Sequence, residues 1–449
     1  MSLPALKQVS LRVTDDPVFL PTVQAFVEKS ATAFGLGQAE TLALTLAGEE
    51  IFNYLCTSIR PEAEIELVCR HGGFYTELDF SLPLKDFSLK AFNLTTTIDL
   101  EDESSLAEMG LVIASRMVDH LEILQEHPGQ IRLRLRKEKN YPALTTPETL
   151  PPAAFGENFT VVSPSPEELK FLLQVLAAGA DRGLLPPAFN QPGKLVDMVA
   201  GGFCRAAIAR DQRQRIGGGI VWFEASARMI ECQGPYLAAG EASEEFSAEL
   251  RRRVAETLLE HCLNEIARTP AVGLLNRAPG RWLPESHFET LGRLVDLRGG
   301  DGGREIPAYF RQLQEDPGCV AWCHPDIREF IEQECRRLAL PRELRPVENC
   351  GESLDGDSVL ACEFDRSRSQ VTLRPLWAGA DLERNLADHL ELFAGENLVN
   401  LLFTLDLSQG WQAPCAPALI ANGFVPRLLL PYGGRQGDLL IFQKLEPAR

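Results

Sequence analysis

The sequence predicts a multidomain chain of mixed structure (α+β and α/β together): a sandwich of helices on an antiparallel sheet, followed by two units built on mixed sheets. Three observations predict it. The 449 residues supply roughly three domains of ~150 residues each. Proline- and glycine-rich breaks divide the chain, at Tyr141–Phe159, Arg298–Glu305 and Glu348–Ser358. An order of strand, long helix, strand, short helix and strand then occurs twice after the first break. These readings place a first domain at 1–140, a proline-rich linker at 141–159, a second domain at 160–310, a helical connector at 311–339 and a third domain at 340–449.

Within the first domain, "KQVSLRVT" reads as a strand, followed by a helix from Val18 to about Phe34. In "AETLALTLAGEEIFNYLCTSI", Leu44, Ala47, Ile51 and Leu55 recur at helical spacing and form one buried stripe. "AEIELVCR" and "FYTELDFSL" flank the turn signal "HGG" and read as a hairpin. A further helix is expected in "SSLAEMGLVIASRMVDHLEI", with Gly110 at its start. "RLRLRKEK" (Arg132–Lys139) reads as an edge strand with one solvated, basic face.

Composition narrows the partners. The net charge of −19 repels phosphate backbones and anionic lipid, so neither nucleic acid nor membrane is an expected partner. The start of the sequence shows no basic region leading into an apolar core, and no apolar run reaches the ~20 residues that cross a bilayer. Eleven scattered cysteines fit a reducing cytoplasm better than a disulfide framework. The cluster Cys319, Cys323 and His324 has no second ligand pair at zinc-site spacing, and buried thiols beside a helix start are the expectation. Nothing in the residues fixes an oligomeric state.

One constellation carries possible chemistry. Glu49 and Asn53 stand four apart on a helix and project from one face. A carboxylate beside an amide suits Mg²⁺ ligation and activation of a water or hydroxyl. Asp79 follows on a strand, where it could accept from an adenine amino group, and the free amides of a helix starting at Gly110 would favour phosphate. Glu-x-x-x-Asn, then Asp-x-Ser-x-Pro, then "MGLVIASRMVDHLEI" resembles, over about residues 1–138, the histidine-kinase-like (GHKL) ATPase fold. Within it the closest likeness is to bacterial anti-sigma factors and serine kinases of partner-switching systems. The resemblance implies that ATP and Mg²⁺ bind here. Glu49 would activate the attacking hydroxyl, Asn53 hold the metal, Asp79 the adenine and Gly110 the phosphates. Ser81 and Glu108 replace glycines of the family pattern. Glu108 adds bulk and negative charge where phosphate would lie, which marks a partly degraded site.

From about residue 160 to the end, the repeated order resembles two copies of the GNAT-type N-acetyltransferase fold, with "ALIANGFVP" as the late helix and its Gly-Phe ending. That likeness implies acetyl-CoA as a ligand. The loops expected to hold its pyrophosphate carry Glu241, Glu244 and Glu245 in one copy and Ala378-Gly379-Ala380 in the other. Phe288 and Leu419 stand where many members have a tyrosine general acid. The glycines Gly217–Gly219 read as a strand start, with room for an acyl group as a lesser reading. The expectation is a cytoplasmic regulatory protein of the anti-sigma type, acting on a sigma factor or anti-sigma antagonist, its acetyltransferase-like units serving as sensor or interaction modules. Two alternatives stand beside it: an acetyl-CoA-dependent N-acyltransferase, and a serine kinase of an antagonist protein.

Overall fold

The computed structural model describes residues 7–58, 64–83, 90–96, 103–127, 130–145, 155–177, 185–238, 246–298, 303–347, 356–396 and 398–445. The first unit comprises β1 (Gln8–Thr14), α1 (Leu20–Ala33), α2 (Gln38–Ser58), β2 (Glu64–His71), β3 (Tyr75–Pro83), α3 (Glu103–Met117), β4 (His120–His127) and β5 (Gln130–Glu138). Its strands form one antiparallel sheet in the order β1-β2-β3-β5-β4. The expected stripe is the buried one: Leu44, Ala47, Ile51 and Leu55 have no exposed surface, and they pack with Leu78, Phe80, Leu133 and Leu135. Alternation along each strand sends these apolar residues to the helix side and their neighbours to the other.

Three expectations change here. Helix α3 ends at Met117, and "HLEI" opens β4 instead of extending the helix. Gly110 therefore lies inside α3, seven residues past its start. A Cβ on Gly110 would sit 2.5 Å from a carboxylate oxygen of Glu50 and 3.4 Å from its Cβ, so glycine permits close packing of α3 on α2. Strand β5 lies between β3 and β4 and is not an edge; its arginines face carboxylates of β3 across the ladder.

The second unit runs through β6 (Phe159–Val162), α4 (Pro166–Ala177), α5 (Pro192–Ala200), β7 (Arg205–Asp211), β8 (Ile216–Glu224), β9 (Met229–Leu237), α6 (Ala248–Ile266), β10 (Gly273–Ala278), β11 (Glu289–Asp296) and β12 (Arg304–Gln312). Its sheet has the order β11-β12-β10-β9-β8-β7-β6, and only β9 and β10 run parallel. Helix α6 makes the crossover between them, as a parallel pair requires. It is capped by Ser247, whose side chain accepts from the Leu250 amide. The Arg298–Glu305 break falls between the antiparallel strands β11 and β12. The stretch expected as a short helix after Pro284 is one 3₁₀ turn (Glu285–His287) leading into β11.

Next come β13 (Cys319–Cys323), α7 (Pro325–Arg337) and β14 (Arg342–Pro346), a two-stranded parallel unit with its own crossover helix. Cys323 is buried and Cys319 half-buried on β13, and the His324 side chain caps α7. The third unit holds β15 (Val359–Asp365), β16 (Gln370–Trp377), α8 (Leu382–Ala394), β17 (Asn400–Asp406), α9 (Ala416–Ala421), β18 (Phe424–Leu430) and β19 (Leu439–Lys444). The order β15-β16-β17-β19-β18, with only β16 and β17 parallel, repeats β8-β9-β10-β12-β11. The repetition expected from the sequence is thus a repetition of topology.

The units share apolar interiors. Leu291, Phe310 and Met229 of the second pack in one core with Phe403, Leu428 and Leu440 of the third. Gln443 both accepts from the Val295 amide at 2.9 Å and donates to its carbonyl. Val359 and Leu376 of the third unit complete the core of the first. The Asn93 side chain adds to that joint, donating to the Ser358 carbonyl at 2.7 Å and accepting from the Leu360 amide at 2.9 Å.

Candidate ligand cleft

Parallel strands that diverge leave backbone groups and side chains facing a gap, and both mixed sheets have such a pair. In the third unit the last paired residues of β16 and β17 are Leu373 and Phe403. Beyond them β16 continues through Arg374–Trp377, with an extra residue opposite the Val359–Leu360 step, and a bulge of this kind turns the strand away. A cavity of about 830 Å³ opens there, within the size range of small-molecule sites. Arg374, Leu376 and Trp377 of β16 and Thr404 and Asp406 of β17 line it. Trp411 and Gln412 form one wall, the β18–β19 turn with Arg435 another, and the turn Ala225–Ala227 of the second unit a third. The remaining side is strand β4 of the first unit, with Glu122, Leu124 and the neighbouring Arg134 of β5.

The polar groups are held to different degrees. Asp406 is engaged, accepting from the Ser408 amide (2.9 Å) and hydroxyl (2.6 Å) and from the Arg435 amide (2.8 Å). These bonds fix the turn and leave the Arg435 side chain exposed. The Asp406 amide donates to Gln412 at 2.7 Å. Arg374 donates to the Leu121 carbonyl at 3.5 Å. Among the described residues no His, Tyr or Cys lines the cavity.

The matching gap in the second unit is filled. The Tyr236 hydroxyl donates to the Ala278 carbonyl at 2.7 Å, and Asn276 donates to the Gly234 carbonyl at 2.6 Å. Both bonds tie β9 to β10 where β16 and β17 separate. Arg251, buried at the first turn of α6, lies against Phe246 and donates to its carbonyl. The glycines Gly217–Gly219 leave no acyl space either. A Cβ on Gly217 would meet Phe155 at 2.7 Å, on Gly218 the Tyr236 carbonyl at 2.5 Å, and on Gly219 Leu172 at 2.5 Å. They are small so that neighbours can pack against the strand.

The residues read from the sequence as a nucleotide site are not brought together. Glu49 and Asn53 do share the half-buried face of α2, and among the described residues neither side chain makes a hydrogen bond. Asp79 sits in the middle of β3, without exposed surface, on the sheet face opposite the helices. It accepts from Arg134 at 3.0 and 3.2 Å and from Arg70, with Arg132 at 3.8 Å. Strand alternation is the physical reason: Leu78 and Phe80 take the helix side, so Asp79 cannot. It is sealed under arginines and unavailable to an adenine. Gly110 is interior to α3, so its amide belongs to the helix ladder and offers no phosphate cradle. The Glu108 side chain and the acidic loop Glu241–Glu245 lie outside the described residues. No group of three His, Cys, Asp or Glu side chains among the described residues is arranged to hold a metal ion.

Sequence reasoning marked Ala378-Gly379-Ala380 as a loop and Arg132–Lys139, which includes Arg134, as a strand with a basic face; both reach the cleft. It missed Arg374, Trp377, Trp411 and Glu122. The available signal was "TLRPLWAGA", a strand ending in a bulky aromatic and a Pro just before a helix. Glu122 gave no signal, since it reaches the cleft from β4 of the first unit, more than two hundred positions from Arg374.

No protein-family model matches the sequence, and no curated protein matches it. Solved structures similar to part of the chain include N-acetyltransferases. A Vibrio cholerae spermidine N-acetyltransferase in complex with CoA and spermine is 14% identical, over 35% of this chain and 97% of that one, with a TM-score of 0.27. A Staphylococcus aureus N-acetyltransferase is 13% identical, over 35% and 99%, also at 0.27. An aminoglycoside 6'-acetyltransferase is 14% identical, over 35% and 99%, at 0.25. No helix among the described residues is long and apolar enough to cross a membrane.

Proposed function

We propose that the third unit binds an anionic thioester ligand of the acyl-coenzyme A class, and that the chain uses this binding as a signal and not for turnover. One observation carries the reading: the same strand topology is open over a cavity in the third unit and bridged shut in the second. The cleft offers what an acyl–pantetheine arm with phosphates would use. Diverging strand ends can pair with its amides, Trp377 and Trp411 give apolar walls, and Arg374 and Arg435 supply positive charge. Acyl transfer needs a group to take the amine proton and one to protonate the thiolate. Asp406 is committed to its turn, and no His, Tyr or Cys among the described residues lines the cavity. On this reading the first unit is the part that meets a protein partner, of the sigma-factor or antagonist kind its likeness implies, and Mg–ATP has no role.

Calorimetry with acetyl-CoA on the whole chain tests this, alongside a thiol-release assay. Expected are saturable binding, loss of at least tenfold in affinity on Trp377→Ala, and no release of CoA above background. Affinity unchanged in Trp377→Ala refutes the cleft. Steady thiol release in the presence of an amine moves the chain to the N-acyltransferase reading, for which Glu122, half-exposed in the cavity wall, is the available proton acceptor.

A further inference from the structure

The strand that closes the cleft belongs to the first unit, and its chemistry differs from that of the other walls. Across the sheet face turned from the helices, Arg70, Arg132, Arg134 and Arg136 surround two carboxylates, Glu77 and Asp79, which are 4% exposed and fully buried. Arg136 bonds Glu77 at 2.6 Å, and Arg134 bonds Asp79 at 3.0 Å. Arg134 also lies 3.8 Å from Glu77. Glu122, opposite Arg134 on β4, meets the same guanidinium from the cavity side, through a 3.6 Å contact. Burial alone would lower the pKa of Arg134; the hydrogen bond and charge of Asp79 more than reverse this, so the group stays cationic. Anchored by Asp79 behind it, Arg134 cannot swing away from the cavity, whereas Glu122, 35% exposed, can.

We infer that this is a composite site: the first unit supplies an anion-receiving contact, Arg134, on which the ligand's phosphate takes the place of Glu122. The inference rests on the reading that the cleft binds an acyl-coenzyme A-class ligand. It adds that the first unit senses the ligand directly. Anion entry breaks one weak half-exposed ion pair and makes a charge-assisted bond to a fixed guanidinium. The released Glu122 side chain is then the change that the first unit experiences. The wall is preformed, since Val359 and Leu376 pack into the first unit's core and Asn93 holds β15 by its backbone.

The test uses the full chain with two ligands, acetyl-CoA and the phosphate-free acetyl-pantetheine, and the variants Glu122→Gln and Trp377→Ala. Removing the competing carboxylate is expected to tighten acetyl-CoA by about tenfold, the scale of one like-charge contact in a half-exposed site. Acetyl-pantetheine should stay within twofold of the unsubstituted chain, a split that a general change in packing would not produce. Trp377→Ala should weaken both ligands. If Trp377→Ala weakens acetyl-CoA while Glu122→Gln leaves it unchanged, the cleft stands and the first unit's part in it is refuted. If Glu122→Gln shifts both ligands equally, the contact is structural and the inference fails. If neither ligand binds the unsubstituted chain, both the cleft reading and this inference fall.

Discussion

Arg342→Met should be among the most damaging single changes outside the apolar cores. Arg342 comes from β14, has no exposed side-chain surface, and pairs with two carboxylates: Asp438 at 2.7 Å and Asp316 at 2.8 Å, which are themselves 0% and 4% exposed. Asp438 also accepts from the Tyr432 amide at 2.9 Å, and the guanidinium lies 4.7 Å from the Tyr432 ring centre. Methionine keeps the volume and removes the charge, leaving two buried carboxylates with like sign. Breaking a buried pair on one side costs about 3–5 kcal/mol. In a unit of this size that lowers Tm by roughly 10 °C. Thermal and urea unfolding measure it, and Arg342→Met with Asp438→Asn should recover part of the loss, because one of the two stranded charges is removed. The consequence for the cleft comes from place: Tyr432 and Asp438 bracket the turn that carries Arg435 to the rim. A loss below about 1 kcal/mol, or no recovery in the double variant, would refute a buried ion pair as the element that holds this turn.

Two further outcomes rest on single contacts. Glu138 of β5 joins the first unit to the second by a 2.5 Å bond to Lys194, with His120 at 3.5 Å. Burial alone would raise its pKa; the His120 hydrogen bond and the Lys194 charge reverse this and hold it at about 2, below the ordinary 4.5. A depressed carboxylate stabilises above its unfolded pKa, so this contribution, up to about 3 kcal/mol, is complete above pH 4.5 and lost as pH falls towards 2. Unfolding followed from pH 5 to 2.5 should show a flatter dependence in Glu138→Gln, and an identical slope would refute the linkage. Gly110→Ala should be neutral or stabilising by up to about 1 kcal/mol, because alanine favours a helix interior and the nearest atom met is the movable end of Glu50. A loss of about 2 kcal/mol in chemical denaturation would mean the α2–α3 contact cannot yield.

Periodicity made much of this fold legible. Leu44, Ala47, Ile51 and Leu55 announced α2 because one helical stripe faces a single sheet, and "HGG" announced the β2–β3 hairpin because its strands are adjacent in sequence. The β4 strand was read as helix because "MVDHLEI" continues an apolar spacing that fits either period over so short a run. The surroundings of Asp79 are illegible in the sequence for a different reason. Motif order gives the sequence of pieces but not the side of the sheet on which each residue falls, and here one step of strand alternation decides it. The cleft was the least legible part: its walls come from residues more than two hundred positions apart, joined only when Val359 and Leu376 enter the first unit's core.

The two parallel pairs show how little sequence separates an open cleft from a closed one. Register aligns them, since Met229 pairs with Gly273 at the start of one and Gln370 with Asn400 at the start of the other. Counting seven along each first strand gives Tyr236 and Trp377, and both follow a bulge against the preceding antiparallel strand. Three along each second strand gives Asn276 and Phe403. In the second unit, the Tyr236 phenol and the Asn276 amide reach the neighbouring backbone and bridge the gap. In the third, the Phe403 ring carries no donor, and Trp377 lines the cavity. A buried polar bridge has to be complete to be tolerated, and the second unit, which has both members, is closed. In the third unit the paired stretch ends at Leu373 and Phe403, and β4 of the first unit supplies a wall of the gap beyond.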